Sequence, residues 1–169
     1  MNESIDKTAS NVVKLLSDKG KKAATAESCT GGLVSAAITS VSGSSDVFEM
    51  GVCSYANRIK QEVLGVTAEA LEKYGAVSEQ VAKEMARGVM ERSGSDFGVS
   101  TTGIAGPSGG TEEKPVGTVW IGVCSRDTCR AERFLFGTGG CPEELTEREY
   151  IRRQAVHKAL EMLQNEIDR

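Results

Sequence analysis

Residues 28–32 read Ser-Cys-Thr-Gly-Gly, which sets two hydroxyls and a thiol immediately ahead of an apolar helical segment. Unpaired N–H groups at a helix start attract an anion or a developing oxyanion, and glycine lets a ligand approach the backbone closely. A serine there needs a base to become a nucleophile, and the usual partner is nearly absent: His157 is the single histidine, on the last amphipathic segment. Lysine is the remaining base. Lys60 follows the end of an apolar strand close to Tyr55, and desolvation or neighbouring positive potential lowers a lysine's pKa toward a working value. Its plain alternative is an exposed lysine at the start of a helix. A third polar stretch, residues 102–110, runs Thr-Gly-Ile-Ala-Gly-Pro-Ser-Gly-Gly and is too rich in glycine to be anything but a loop. None of these is a nucleotide fingerprint, because GxxxxGK[ST] is missing and Gly103-Ile104-Ala105-Gly106 does not complete GxGxxG.

The elements that must position these residues are readable from periodicity. Ile5, Ala9, Val12 and Leu16 define an amphipathic helix over 4–18, closed by Lys19-Gly20. A short apolar strand over 23–26 leads into the serine turn, after which Leu33, Ala36, Ala37 and Ile38 resume helical spacing. The stretch 47–56 is rich in β-formers and reads as a second strand, ending at Tyr55-Ala56-Asn57. Thr67 caps a short helix that stops at Gly75, and Ser78 caps a longer one with Ala82, Met85, Ala86 and Val89 on its apolar face, ending at Gly94. Strands follow at 97–101, 116–123 and 129–136, the last two joined as a hairpin around Ser125-Arg126-Asp127. Ile151, Ala155, Ala159, Leu163 and Ile167 define the final helix. Five strands interleaved with helices imply an α/β fold, a three-layer α/β/α sandwich whose five-stranded sheet is mixed because of the hairpin. In open sheets of this kind ligands bind beyond the carboxyl ends of the parallel strands, so the three polar stretches are expected to meet on one edge.

Composition narrows the function classes. The 169 residues suit a single domain over 1–169, and 39% hydrophobic with 26% charged residues is ordinary for a folded, globular chain. Twenty basic against twenty-four acidic residues, with no Lys/Arg block, argues against nucleic acid as a partner. Five cysteines without a CxxC, and with one histidine in the chain, argue against a zinc cage, and their odd number suggests reduced thiols in the cytoplasm. No apolar run approaches the roughly 18 residues that cross a bilayer.

Six collinear motifs carry a family resemblance: Thr25-Ala26-Glu27-Ser28-Cys29-Thr30-Gly31-Gly32, Gly43-Ser44-Ser45, Tyr55-Ala56-Asn57-Arg58-Ile59-Lys60, Gly75-Ala76-Val77-Ser78, Gly103-Ile104-Ala105-Gly106-Pro107, and residues 113–120. They resemble the CinA C-terminal domain family, the nicotinamide-nucleotide amidases, in its stand-alone form. The resemblance implies hydrolysis of nicotinamide mononucleotide to nicotinic acid mononucleotide and ammonia in pyridine nucleotide recycling. It further implies no metal or organic cofactor, and commonly a homo-oligomer. Carried over by motif, Ser28 is the nucleophile, Lys60 its base and Tyr55 a residue that orders the site, with the N–H groups of Thr30, Gly31 and Gly32 around the oxyanion. Thr30, Ser44 and Ser45 are rival hydroxyls in the same loops. Asn57, Thr102 and Gly103 belong to the nucleotide pocket, and Arg152 or Arg153 is the phosphate partner by charge.

Three departures stand out. Ser54-Tyr55-Ala56-Asn57 replaces the usual Thr-Tyr-Ser-Asn, with one hydroxyl lost. Thr101-Thr102 stands before Gly103 where serines are common. Residues 137–150 run longer than usual without an evident Gly-Asp-Arg, which motivates an alternative, a non-catalytic nucleotide-binding regulatory module of the same fold.

Overall fold

A computed structural model describes residues 3–169. In chain order the elements are α1 (Glu3–Lys19), β1 (Ala23–Glu27), α2 (Leu33–Thr39), a 3₁₀ turn (Ser44–Asp46), β2 (Phe48–Cys53), α3 (Asn57–Leu64), α4 (Ala68–Tyr74), α5 (Glu79–Ser93), β3 (Phe97–Gly103), β4 (Thr118–Cys124), β5 (Cys129–Leu135) and α6 (Glu147–Asp168). The sheet order is β2-β1-β3-β4-β5. β1 runs parallel to both β2 and β3, while β4 is antiparallel to β3 and β5, so the sheet is five-stranded and mixed as expected.

Each face of the sheet is covered by helices, so the strands nearest its centre have no exposed side. All five residues of β1 are buried, as are the first six of β3. On one face, α1, α2 and α6 bring Ile5, Val12, Leu16, Ile38, Ile151 and Leu163 against Val99, Val119 and Ile121. On the other, Val81, Met85 and Val89 of α5, with Leu64 of α3 and Ala70 of α4, cover Ala24 and Ala26. α5 lies unusually close to the sheet: a Cβ at Gly98 would stand 2.1 Å from the Ala86 carbonyl oxygen, so only glycine fits that point of β3.

One expectation is corrected. The strand read over 47–56 ends at Cys53, where Ser54 N–H donates to the Glu27 carbonyl, and the chain turns at Ala56 into α3, a helix that the apolar run concealed. Cys124 and Cys129 face one another across the β4–β5 hairpin, Cα atoms 4.0 Å apart. Cys29, Cys53 and Cys141 are free. Among the described residues no helix is long and apolar enough to cross a membrane.

Candidate active site

Parallel β1 and β2 deliver their following loops to the same edge of the sheet, and that topology brings residue 28 to residue 60. Ser28 follows the last residue of β1, and its N–H donates to the Thr101 carbonyl of neighbouring β3. Lys60 sits one turn into α3, only 1% exposed, with its ammonium nitrogen turned inward rather than to water. Nζ lies 3.1 Å from Ser28 Oγ, 2.6 Å from the Ser54 carbonyl oxygen and 3.4 Å from that of Tyr55. Among the described residues no carboxylate hydrogen-bonds to it. Burial therefore lowers the Lys60 pKa below 10.5, the oxygens around Nζ repaying only part of its lost hydration.

The rival nucleophiles beside Ser28 are otherwise engaged. Burial pushes the Cys29 thiol up to about 12, far from a working thiolate. Thr30 Oγ1 lies 2.6 Å from Glu27 Oε2 and 2.7 Å from Thr101 Oγ1, fully buried. Ser44 and Ser45 are elsewhere altogether. They precede β2 rather than follow it, so the 3₁₀ turn places them at the amino-terminal edge of the sheet, away from the Ser28 loop.

Glu27, a residue outside the set read from the sequence as functional, organises the loop. Its carboxylate is 1% exposed and accepts from Thr30 Oγ1, Gly32 N–H and Val34 N–H through Oε2, and from Ser35 N–H and Oγ through Oε1. An anion thus already occupies the start of α2, the place where anions are favoured. The consequence touches the expected oxyanion donors. Gly32 N–H is committed to Glu27 and Gly31 N–H to the Ser28 carbonyl, whereas Cys29 and Thr30 N–H, which follow the serine directly, have no backbone acceptor among the described residues. Gly31 and Gly32 have φ of 61° and 98°, conformations that make glycine necessary at this turn.

A cavity of about 240 Å³ is lined by Cys29, next in the chain to Ser28, and by Tyr55, Gly103, Ile104, Ala105, Gly106 and Arg148 among others. Tyr55 stands 63% exposed at its mouth, where its hydroxyl accepts from Arg148 Nη2 at 2.9 Å; Arg148 Nη1 donates to the Gly106 carbonyl. Arg152, the cation favoured from sequence, points elsewhere. Its Nε and Nη2 donate to the carbonyls of Cys29 and Thr30 at 3.0 and 2.8 Å. Thr102 Oγ1 donates to the Ala76 carbonyl on the α5 side, Gly103 lines the cavity, and Asn57 opens α3 in an exposed position. A larger cleft of about 510 Å³ lies at the opposite edge around Lys19, Lys21, Asp96 and Glu166. There Lys21 pairs with Asp96 and Arg169 with Glu166, whose carboxylate also accepts from the Ser125 and Thr128 hydroxyls. Among the described residues no cluster of three or more His, Cys, Asp or Glu side chains is placed to hold a metal.

An α/β domain with a buried lysine against a serine at the carboxyl edge of its parallel strands defines the class. The chain belongs to the CinA C-terminal domain family, whose model matches residues 5–167. It is 54% identical over 127 residues to a CinA-like protein of Chlorobium limicola, covering 75% of this chain and 30% of that protein. With a CinA-like protein of Nostoc sp. it shares 46% identity over 165 residues, 96% of this chain and 39% of the relative. The chain thus spans about a third of the length of these curated relatives. Among solved structures, the competence/damage inducible protein CihA from Agrobacterium tumefaciens superposes with a TM-score of 0.92 at 39% identity, covering 100% of this chain and 98% of that one. A CinA superfamily protein from Escherichia coli gives 0.86 at 30% identity, covering 97% and 92%.

Proposed function

We propose that this domain is a nicotinamide-nucleotide amidase, converting nicotinamide mononucleotide and water to nicotinic acid mononucleotide and ammonia. The observation that carries the reading is the environment of Lys60 Nζ. A neutral amine has two N–H groups and one lone pair. Nζ donates to the Ser54 and Tyr55 carbonyls and to Ser28 Oγ; once it gives up one proton, the carbonyls hold the two remaining N–H groups and the lone pair is left for the proton on Ser28 Oγ. Depression of the lysine pKa by burial makes that neutral form accessible.

Ser28 Oγ attacks the carboxamide carbon as its proton passes to Nζ. The carbonyl oxygen becomes an oxyanion facing the N–H groups of Cys29 and Thr30, where one such donor contributes about 3 kcal/mol to the transition state. Collapse breaks the C–N bond, the protonated Lys60 gives its proton to the departing nitrogen, and ammonia leaves an acyl ester on Ser28. Water, deprotonated by Lys60, attacks that ester; the proton returns to Ser28 Oγ and the carboxylate product departs. Every step is a proton transfer or an acyl transfer, and the residues present suffice without a cofactor.

A cavity of about 240 Å³ is smaller than the ~300–1,000 Å³ usual for sites that enclose a whole ligand, so it takes the pyridine end of the mononucleotide. The phosphate then lies at the mouth, where Arg148 is the cation in reach and Tyr55 its neighbour. Thr102 and Asn57 flank this pocket rather than line it. The same reading carries a cytoplasmic homo-oligomer, whose mass light scattering measures.

Ammonia release from nicotinamide mononucleotide by the purified chain tests the proposal, with Ser28→Ala as the control that must be silent. Stabilisation of the fold by the mononucleotide without any ammonia would replace the amidase with the binding-module reading.

A further inference from the structure

We propose that Arg152 is a positioning residue, whose grip on the Cys29 and Thr30 carbonyls aims the Thr30 N–H at the oxyanion formed on Ser28. The inference rests on the amidase reading and adds to it a residue that need not touch substrate.

A trans peptide unit points its C=O and N–H in opposite directions. The Cys29 carbonyl and the Thr30 N–H belong to one such unit, so a group that holds the carbonyl also sets the direction of the donor. Arg152 Nε holds that carbonyl at 3.0 Å, and Nη2 holds the Thr30 carbonyl at 2.8 Å. A planar guanidinium presents these donors in a fixed fork, which a flexible ammonium cannot reproduce. The other side of the loop is fixed independently. Glu27 takes the Gly32 and Val34 N–H groups and the Thr30 hydroxyl, so a buried carboxylate grips the donors while a guanidinium grips the acceptors. Between these two grips, Ser28 N–H goes to Thr101, Gly31 N–H to Ser28 and Leu33 N–H to Thr30. Cys29 and Thr30 N–H have no backbone acceptor of their own among the described residues.

The loop sequence is fitted to the guanidinium. A Cβ at Gly31 would stand 3.2 Å from Arg152 Nη2, tighter than ordinary packing, so the glycine that turns the loop also admits the arginine. The residue is carried by α6, whose neighbouring Ile151 and Ala155 are fully buried, so the fork is mounted on a packed helix rather than on a mobile segment. The cavity itself is lined by a different cation, Arg148. The two arginines therefore divide the work, one at the mouth and one behind the nucleophile loop.

The test is steady-state ammonia release from nicotinamide mononucleotide by Arg152→Ala and Arg152→Lys beside wild type. A positioning role lowers kcat by about 100-fold in the alanine variant, the scale of losing one oxyanion donor, with KM within threefold. Arg152→Lys, able to hold one carbonyl, falls between. Added guanidinium ion restores turnover to Arg152→Ala but not to Ser28→Ala, a response that a purely structural role would not give. A raised KM with unchanged kcat would make Arg152 a phosphate partner and overturn the proposal, as would a kcat equal to wild type or a failure of guanidinium to rescue. Should Arg152→Ala not fold, Arg152→Lys decides by the same kcat and KM criteria. If wild type itself releases no ammonia, the amidase reading falls and amide hydrogen exchange judges the loop. Exchange at Gly31 and Gly32 at least tenfold faster in Arg152→Lys supports the grip, and unchanged exchange removes it.

Discussion

Lys60 Nζ lies 3.1 Å from Ser28 Oγ, and the two residues reach each other only because β1 and β2 are parallel neighbours whose following segments share one edge of the sheet. The lysine contacts carbonyl oxygens and a hydroxyl but no carboxylate, so its environment disfavours the charge and tolerates the neutral amine.

A pH profile reads that environment directly. With Lys60 as base, kcat/KM falls as pH drops through the folded-state pKa of the lysine, which lies below 10.5 because of burial. Lys60→Arg, always charged, abolishes turnover across the range. Stability carries the same signature with a definite sign. Between the folded pKa and 10.5 the unfolded chain holds a proton that the folded one does not, so stability rises with pH through that window. Lys60→Met removes this slope. Denaturant midpoints at constant m, measured from roughly pH 6 to 10, are to show wild type gaining on Lys60→Met as pH rises; parallel curves would refute a depressed lysine.

Arg148 bridges the Tyr55 hydroxyl and the Gly106 carbonyl across the cavity mouth. With Arg148 as the phosphate partner proposed above, losing that charge-assisted contact costs about 1.5–3 kcal/mol, so Arg148→Ala should raise KM for the mononucleotide roughly 10- to 100-fold and leave kcat within a few-fold. Nicotinamide riboside, which lacks the phosphate, discriminates further: the variant and wild type should handle it alike. Equal loss on both substrates would place Arg148 in the framework of the pocket instead.

How much of this was written in the sequence follows from which signals are local. Periods of three and four located α1, α5 and α6, and the β-rich runs located the strands, because amphipathic faces are decided within a dozen residues. α3 is legible only as the alternative that puts Lys60 at a helix start: the β-formers of 47–53 run on into Ser54-Tyr55, and Ala56 at its N-cap provides no capping side chain. Arg148 was hidden for a related reason. Reading α6 from Ile151 overlooks Thr146 and Glu149, which form a capping box and start the helix at Glu147, one residue ahead of the arginine. Ser44 and Ser45, expected from their motif, precede β2 and so lie at the opposite edge from the Ser28 loop, a placement set by chain direction rather than by any local pattern. The grip of Arg152 on residues 29 and 30 spans more than 120 positions, and no local pattern announces it.

The uncapped start of α3 gives a prediction about stability alone. Ala56 has the extended backbone of an N-cap, φ −88° and ψ 145°, but no side-chain oxygen to accept from the first turn. Ala56→Ser restores one, and a serine cap in place of alanine stabilises by about 1 kcal/mol. Urea unfolding should show that gain with m unchanged and turnover retained, since residue 56 lines no part of the cavity. A loss of stability would mean that the helix start is already satisfied by other groups.

Glu27 offers the sharpest separation of charge from shape. Both carboxylate oxygens are used, Oε1 by Ser35 N–H and Oγ, Oε2 by Thr30 Oγ1, Gly32 N–H and Val34 N–H. Glu27→Gln keeps the volume but has a single oxygen, so its NH₂ must confront the donors on one side or the other. Each buried donor left without an acceptor costs about 1–3 kcal/mol, and two such losses predict a destabilisation of roughly 2–6 kcal/mol. Turnover should fall more steeply than stability predicts, because the loop that releases Glu27 also carries Ser28 and the N–H groups of Cys29 and Thr30. Circular dichroism melting and ammonia release on the same preparation separate the two effects. A variant that melts like wild type would show that the carboxylate's charge is dispensable to the loop.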